Sequence, residues 1–204
     1  MELILFTSSD KFRSEIYIIL KMFENGLENL HIKKPGFSKK QLKNYIELIP
    51  EKHHNKIIIH SHYNLILKYN LKGIHLSSLF KDSSLFYKKY VSLLKLLKPK
   101  LFLTCSYHNL NQLLNHHHTY NYVFLSPVFN KDGSLNSKFT EDSIKSTISQ
   151  INIKVFALGG VNETNLKKIK SMNFNGLALK GSIWHGIEQP FDLYLINKKH
   201  FNTL

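Results

Sequence analysis

Histidines recur where short apolar runs of this sequence end. His60-Ser61-His62 follows one such run, His75 lies within a second, and His108 closes a third. Imidazole titrates near neutral pH and therefore serves as a proton donor or acceptor. It also ligates metals, and two histidines one residue apart are a recognised ligand spacing. Because no carboxylate accompanies these histidines to orient them, we expect acid–base or substrate-binding roles and no metal site.

Glycine and lysine end two later apolar runs. Gly159-Gly160 follows the first of them, and Lys180-Gly181-Ser182 follows the second. Without a side chain, glycine lets backbone N–H groups approach an anion closely. The same glycines also suit tight turns with no ligand at all. Because the two turns end consecutive runs, we favour a phosphate site.

Eight apolar runs alternate with amphipathic stretches, which indicates parallel strands joined by helices. The runs cover residues 3–7, 29–33, 57–60, 73–76, 101–106, 122–126, 155–158 and 176–179. The clearest helical start is Ser38, where Gln41 completes a capping box. The tail from residue 191 to 204 is weakly patterned and predicts a short or distorted last helix. Eight units predict a compact (β/α)8 TIM barrel forming a single domain over residues 1–204.

The barrel places function at the carboxyl ends of its strands, where the residues above lie. A doubly wound open sheet is the competing fold, and the lack of a G-x-G-x-x-G motif after the first run disfavours it. Neighbouring strand residues face opposite ways, so only one of Cys105 and Ser106 points into the barrel.

Composition excludes several classes of protein. The chain has 204 residues, 43% of them hydrophobic, and a single cysteine, so we exclude disorder and a disulfide framework. Its net charge of +14 suggests nucleic acid, yet Arg13 is the only arginine and the lysines are scattered. We therefore expect no nucleic-acid partner. With no signal peptide and no membrane-spanning run, we expect a cytoplasmic protein.

Five segments in order carry a family resemblance. They are His31-Ile32-Lys33-Lys34-Pro35-Gly36, Gly73-Ile74-His75-Leu76, Ser106-Tyr107-His108, Tyr122-Val123-Phe124-Leu125-Ser126-Pro127-Val128-Phe129 and Ala157-Leu158-Gly159-Gly160-Val161. Together they resemble the thiamine phosphate synthase / thiazole tautomerase (TenI-like) superfamily. The resemblance implies a (β/α)8 barrel and a transferase of thiamine biosynthesis. Its synthases join hydroxymethylpyrimidine diphosphate to thiazole phosphate and release diphosphate.

The resemblance also implies roles for particular residues. Lys33 matches the residue that contacts the diphosphate, and Ser106 matches the family's strand-five serine. Lys131 matches the lysine of the loop after the sixth strand. Three of the strand-end histidines are added for their acid–base chemistry, so the predicted catalytic residues are Lys33, His60, His62, Ser106 and His108. The predicted substrate-binding residues are His31, Lys34, His75, Pro127, Lys131, Gly159, Gly160, Lys180 and Gly181.

The sequence departs from the family pattern at the metal. The resemblance implies Mg²⁺, but His60-Ser61 stands where synthases carry Asn-Asp, and Asp82 only loosely replaces a later aspartate. The ligands for Mg²⁺ are therefore not matched. A second expected lysine is missing, and Lys34 is its neighbouring substitute. Pro127 stands where the tautomerase branch carries its catalytic histidine.

Three functions therefore stay open. The first is a synthase-like transferase, and the second is a tautomerase in which His60, His62 or His108 moves the proton. The third is a non-catalytic barrel that binds a phosphorylated ligand. The expected partners are small phosphorylated substrates, with neither nucleic acid nor membrane, and a homodimer is compatible with the sequence.

Overall fold

Eight parallel strands close into a barrel in the order in which they occur along the chain. A computed structural model describes residues 1–10, 14–76, 85–116, 120–186 and 189–203. The strands are β1 (Glu2–Phe6), β2 (Leu30–Ile32), β3 (Ile57–Ile59), β4 (Gly73–Leu76), β5 (Phe102–Tyr107), β6 (Tyr122–Leu125), β7 (Lys154–Leu158) and β8 (Gly176–Leu179). β1 pairs with β8, which closes the sheet. The predicted (β/α)8 barrel is confirmed.

Helices surround the barrel. They are α1 (Glu15–Glu24), α2 (Lys39–Glu47), α3 (Leu85–Leu97), α4 (Leu110–His116), α5 (Glu141–Ser149), α6 (Leu166–Ser171), α7 (Gly181–Trp184) and α8 (Pro190–Asn202). Short 3₁₀ turns lie between α2 and β3 (Glu51–Lys56), between β3 and β4, where no α-helix occurs (Tyr63–Leu67), and before α6 (Glu163–Asn165). The capping box predicted at Ser38 and Gln41 is present at the start of α2. None of the described helices combines the length and the apolar character needed to cross a bilayer.

The prediction of a short or distorted last helix is wrong. α8 runs for 13 residues, and Pro190 lies in its first turn, where a proline fits a helix without losing a hydrogen bond. The helix packs against α1 and α7. It buries only a few positions, among them Tyr194 and Asn197, so its apolar face is too narrow to be recognised from the sequence.

Alternation along the strands divides the core into two layers. Residues that point inward fill the barrel, and they include Ile4, Phe6, Phe124 and Phe156. Their neighbours point outward to the helices, as Leu5 does beside Phe6. The barrel is therefore packed with apolar side chains through its middle, and polar residues are left to its carboxyl end.

Candidate active site

Three histidines meet inside the barrel, one each from β2, from the residue after β3, and from β4. His31 Nδ1 lies 3.0 Å from His60 Nε2, and the rings of His60 and His75 stack with centroids 4.2 Å apart. One ring nitrogen of each histidine lies within 4.8 Å of one from each of the others. They meet because each occupies an inward position, flanked by outward residues such as Leu30 and Ile32. We call His31, His60 and His75 the histidine cluster.

Polar and aromatic side chains hold the histidine cluster in place. His31 Nε2 lies 2.5 Å from the hydroxyl of Tyr122, which reaches across the barrel from β6. His75 Nδ1 lies 2.8 Å from Thr104 Oγ1, and its Nε2 lies 3.3 Å from Ser106 Oγ. The ring of Phe6 stacks on His31 with centroids 4.7 Å apart. The imidazole orientations are thus fixed on several sides.

Two members of the histidine cluster, His31 and His60, are held in the uncharged form. Burial lowers the pKa of His31 and of His60 well below the usual value, and repulsion from His75 adds to the effect on both. A buried imidazolium would lose its hydration without gaining a counter-ion, so the neutral form is favoured. Neutral imidazoles at this position are proton acceptors and hydrogen-bonding groups rather than anion-binding cations.

The lowered pKa values predict that acid destabilises the fold. Below about pH 6.5 these histidines bind protons in the unfolded chain but not in the folded one. Stability therefore falls as pH is lowered toward the pKa that the histidines have in the folded protein. His31, which is fully buried, contributes a slope of up to about 1.4 kcal/mol per pH unit in that range. Urea unfolding at pH 7.5 and pH 5 measures it.

The control is His31→Gln, which removes one titrating group and is expected to flatten the slope. His53 also has a pKa lowered mainly by burial, so part of the dependence remains in that variant. An unchanged slope in His31→Gln would contradict the assignment of this titration to the cluster.

A cavity of about 650 Å³ opens at the carboxyl end of the barrel. Three lysines line it, namely Lys33, Lys131 and Lys180, and Phe6 connects it to the histidine cluster. Burial lowers the pKa of Lys180, and the charge of Lys33 lowers it further. Lys33 and Lys180 therefore repel each other, and an anion placed between them would relieve the repulsion.

Glycines also line the cavity. Gly159 and Gly160 both have positive φ, at +89° and +64°. A Cβ on Gly160 would lie 2.3 Å from the carbonyl oxygen of Asn130, so the backbone of the β6 loop packs directly against it. Asn165 Nδ2 donates to the Gly160 carbonyl oxygen at 2.8 Å and fixes this turn. Gly181 and Ser182 continue the wall after β8.

Comparison with known proteins identifies the family. The sequence profile of the thiamine monophosphate synthase family matches residues 3–183. The chain belongs to this family. A solved thiamine phosphate pyrophosphorylase from Bacteroides thetaiotaomicron is 31% identical, with a TM-score of 0.79 over 99% of this chain and 98% of that one.

Curated members of the family are more distant. The thiamine-phosphate synthase of Clostridium tetani is 23% identical over 68% of this chain and 64% of its own length. That of Prochlorococcus marinus subsp. pastoris is 25% identical over 94% of this chain and 54% of its own length. The chain therefore spans about half to two thirds of these two relatives. A synthase family on a TIM barrel agrees with the resemblance inferred from the five motifs.

The structure brings most of the predicted site residues to one place. Those that line the cavity are Lys33, Lys131, Gly159, Gly160, Lys180 and Gly181. Below them, Ser106 points into the barrel toward His75, whereas Cys105 packs in the outer layer. The roles predicted for these residues remain predictions, and the geometry adds only that they are neighbours.

Four predicted residues lie outside this arrangement. Lys34 is buried, and its Nζ pairs with Glu15 at 2.5 Å. His62 Nε2 lies 2.7 Å from the Phe37 carbonyl oxygen, and His108 Nδ1 lies 2.5 Å from that of Ser126. Pro127 is exposed and follows Ser126 through a cis bond. Of the histidines predicted from the sequence, His31, His60 and His75 lie together, whereas His62 and His108 lie apart from them.

Two polar neighbours of the cluster, Tyr122 and Thr104, were not predicted. The sequence does contain a signal for Tyr122, because Tyr122 and Phe124 are two residues apart on one strand and therefore share a face. Thr104 is likewise two residues before Ser106 on β5. Which face turns inward depends on the phase of the strand within the barrel, and the sequence does not state it.

The described residues do not fit the Mg²⁺ that the resemblance implies. Mg²⁺ prefers oxygen ligands and usually takes one or two carboxylates besides substrate phosphates. No Asp or Glu is among the described residues that line the cavity. The position of the family's Asn-Asp is held by His60 and Ser61, and Asp82 lies outside the described residues. Mg²⁺ therefore has no carboxylate at the described part of this site.

Proposed function

We propose that this protein is a thiamine phosphate synthase that joins hydroxymethylpyrimidine diphosphate to thiazole phosphate and releases diphosphate. The observation that carries the proposal is that Lys33, Lys131 and Lys180 line one cavity together with the glycine turns. Two anionic groups must be held in this reaction, and the cavity offers two kinds of anion-binding wall. Membership of the synthase family supports the same reading.

The lysines would act on the leaving group. The bond between the pyrimidine methylene carbon and the diphosphate oxygen breaks, its electron pair stays on the diphosphate, and the thiazole nitrogen then attacks the carbon cation. Negative charge grows on the diphosphate in that step, so fixed cations beside it lower the barrier. Lysine ammonium groups serve as point charges for phosphate, and here they do so without a carboxylate-bound metal.

The glycine turns would hold the thiazole phosphate. Gly160 and Gly181 both line the cavity, and at Gly181 the space that a side chain would fill is open, so a backbone N–H could approach phosphate oxygens there. The pyrimidine would then lie toward Phe6 and the histidine cluster, and its methylene carbon would stay next to the diphosphate held by the lysines.

A tautomerase acting on the thiazole phosphate is the second candidate. The observation in its favour is the position of His60, which is half-buried beside the cavity and neutral. A neutral imidazole accepts a proton at physiological pH. Pro127 stands where the tautomerase branch carries its own histidine, so the chemistry would have to move to His60.

The deciding experiment follows thiamine phosphate by chromatography after mixing the protein with both substrates, with and without Mg²⁺. We expect turnover, and we expect Lys33→Ala to lower it by about 10²-fold or more, as the loss of one transition-state donor does. The backbone of Lys33 is bonded to Thr7 through both its N–H and its carbonyl, so the strand end survives the truncation.

Lys39→Ala is the matched control. Lys39 is exposed on α2 and does not line the cavity. The Lys39→Ala variant therefore removes the same charge without changing the site. Equal loss in both variants would show that only net charge matters and would contradict the assignment to Lys33. No product in either metal condition, with thiazole phosphate still bound, would replace the synthase by the tautomerase or a non-catalytic binder.

A further inference from the structure

We propose that the histidine cluster binds one divalent transition-metal ion of the zinc type. The ligands would be one ring nitrogen each from His31, His60 and His75, which already lie within 4.8 Å of one another. This site goes beyond the proposed synthase activity, which is argued without any metal. It differs from the Mg²⁺ of the family in position of its donors and in their chemistry.

The donor set selects the class of ion. Three imidazoles with no carboxylate suit Zn²⁺, Co²⁺, Ni²⁺ or Cu²⁺ and do not suit Mg²⁺ or Ca²⁺. Zinc binds histidine nitrogen at about 2.0–2.1 Å, which sets tetrahedral ligand nitrogens roughly 3.4 Å apart. His31 Nδ1 and His60 Nε2 are 3.0 Å apart, so this pair needs almost no movement. The rings of His60 and His75 stack with centroids 4.2 Å apart, so one of the two must turn out of the stack for both to ligate one ion.

Two of the three histidines have an oxygen partner on the second ring nitrogen. A histidine ligand usually donates its other N–H to an oxygen, which fixes the tautomer and the ring orientation. His31 has Tyr122 at 2.5 Å on Nε2, and its Nδ1 faces His60. His75 has Thr104 at 2.8 Å on Nδ1, and its Nε2, which lies 3.3 Å from Ser106 Oγ, would exchange that contact for the metal. The sequence argued against a metal because no carboxylate was present to do this, and hydroxyl groups fill that role instead.

The accessibility of the cluster also suits a metal. His60 is only half-buried, so an ion reaches the cluster through the mouth cavity. Three protein ligands leave one coordination position for water or a substrate atom, as in catalytic zinc sites.

The test uses the full chain without an affinity tag, stripped with a chelator. Co²⁺ is titrated while its visible absorption is recorded, because tetrahedral Co²⁺ absorbs far more strongly than the hexahydrated ion. Zn²⁺ is then titrated by calorimetry. The run His116-His117-His118 is a source of adventitious binding. All variants are therefore made on a His117→Asn, His118→Asn background. We expect one Co²⁺ or Zn²⁺ per chain.

Three variants locate the ion. His60→Gln and His75→Gln are each expected to weaken Zn²⁺ affinity by at least about 100-fold, since each removes a direct ligand. Tyr122→Phe keeps all three ligands and is expected to weaken it by about 10- to 100-fold. His200→Gln removes an exposed histidine of α8 and is expected to change nothing. Circular dichroism checks that each variant is folded.

Several results would overturn the proposal. They are no tetrahedral Co²⁺ spectrum on the background chain, or equal Zn²⁺ affinity in His60→Gln and the background. Loss of all binding on removal of His117 and His118 would assign the ion to that run. If His75→Gln does not fold, the half-buried His60 still decides the question. Synthase activity is not measured in these titrations, so failure of the metal site leaves the proposed function untouched.

Discussion

Gly160→Ala is expected to destabilise the protein by roughly 2–5 kcal/mol, the combined cost of backbone strain and overpacking. Its φ of +64° is unfavourable for any residue with a side chain. The added Cβ would also lie 2.3 Å from the carbonyl oxygen of Asn130 and 2.5 Å from that of Phe129. Because these neighbours are backbone atoms, the whole loop after β6 must shift. Urea or thermal unfolding measures the loss.

Gly181→Ala is the matched variant at the same cavity. A Cβ there would meet only His185 Cδ2, at 3.9 Å, which is ordinary contact. We expect stability within about 1 kcal/mol of the parent chain. The methyl group nevertheless occupies the phosphate wall, so calorimetry should show weaker binding of thiazole phosphate. Equal unfolding midpoints for the two variants would contradict the clash at Gly160, and unchanged affinity in Gly181→Ala would remove that glycine from the phosphate site.

The barrel was predictable because its signals are local and repeated. Each strand is a short apolar run, and residues between the runs mark where helices begin, as the Ser38–Gln41 capping box does at the start of α2. The parallel order then follows from the alternation of strands and helices, since right-handed crossovers leave few other topologies. The glycine turns after β7 and β8 were likewise found at adjacent strands, where they share one cavity.

The interior of the site was less predictable because it depends on phase and on closure. His60 and His62 look equivalent in the sequence, yet His60 enters the barrel while His62 turns away with φ of +51°. His31 and Tyr122 are 91 residues apart and touch only because the sheet closes. The sequence pattern gives the period of a strand but not which face meets the barrel axis.

The surroundings of Lys34 were likewise not predictable from the sequence. Two adjacent lysines follow β2, and nothing in the sequence distinguishes their surroundings. In the structure, Lys33 is exposed at the cavity, whereas Lys34 is buried against Glu15. The exposed fraction is 4% for the Lys34 side chain and 3% for the Glu15 side chain. The Glu15 carboxylate also accepts hydrogen bonds from the Tyr45 hydroxyl and the Ser8 backbone N–H, both at 2.7 Å.

Lys34→Met is therefore expected to lower the free energy of unfolding by about 3–5 kcal/mol, the cost of leaving one partner of a buried ion pair uncompensated. Lys33→Met, the adjacent control, removes the same charge from the surface and is expected to change stability by about 0.5 kcal/mol or less. Urea unfolding at neutral pH compares the two. We therefore expect loss of Lys34 to lower stability and loss of Lys33 to lower turnover.

A double variant distinguishes the buried charge from simple loss of packing. Glu15→Gln together with Lys34→Met removes both charges, so no uncompensated ion remains in the interior. We expect the double variant to be more stable than Lys34→Met alone, with a coupling energy within the range of about 0.5–3 kcal/mol found for residues in contact. The contrary result would be a Lys34→Met variant that is as stable as the parent chain but loses turnover as Lys33→Ala does. In that case Lys34 acts on the substrate, and its ion pair with Glu15 does not stabilise the fold.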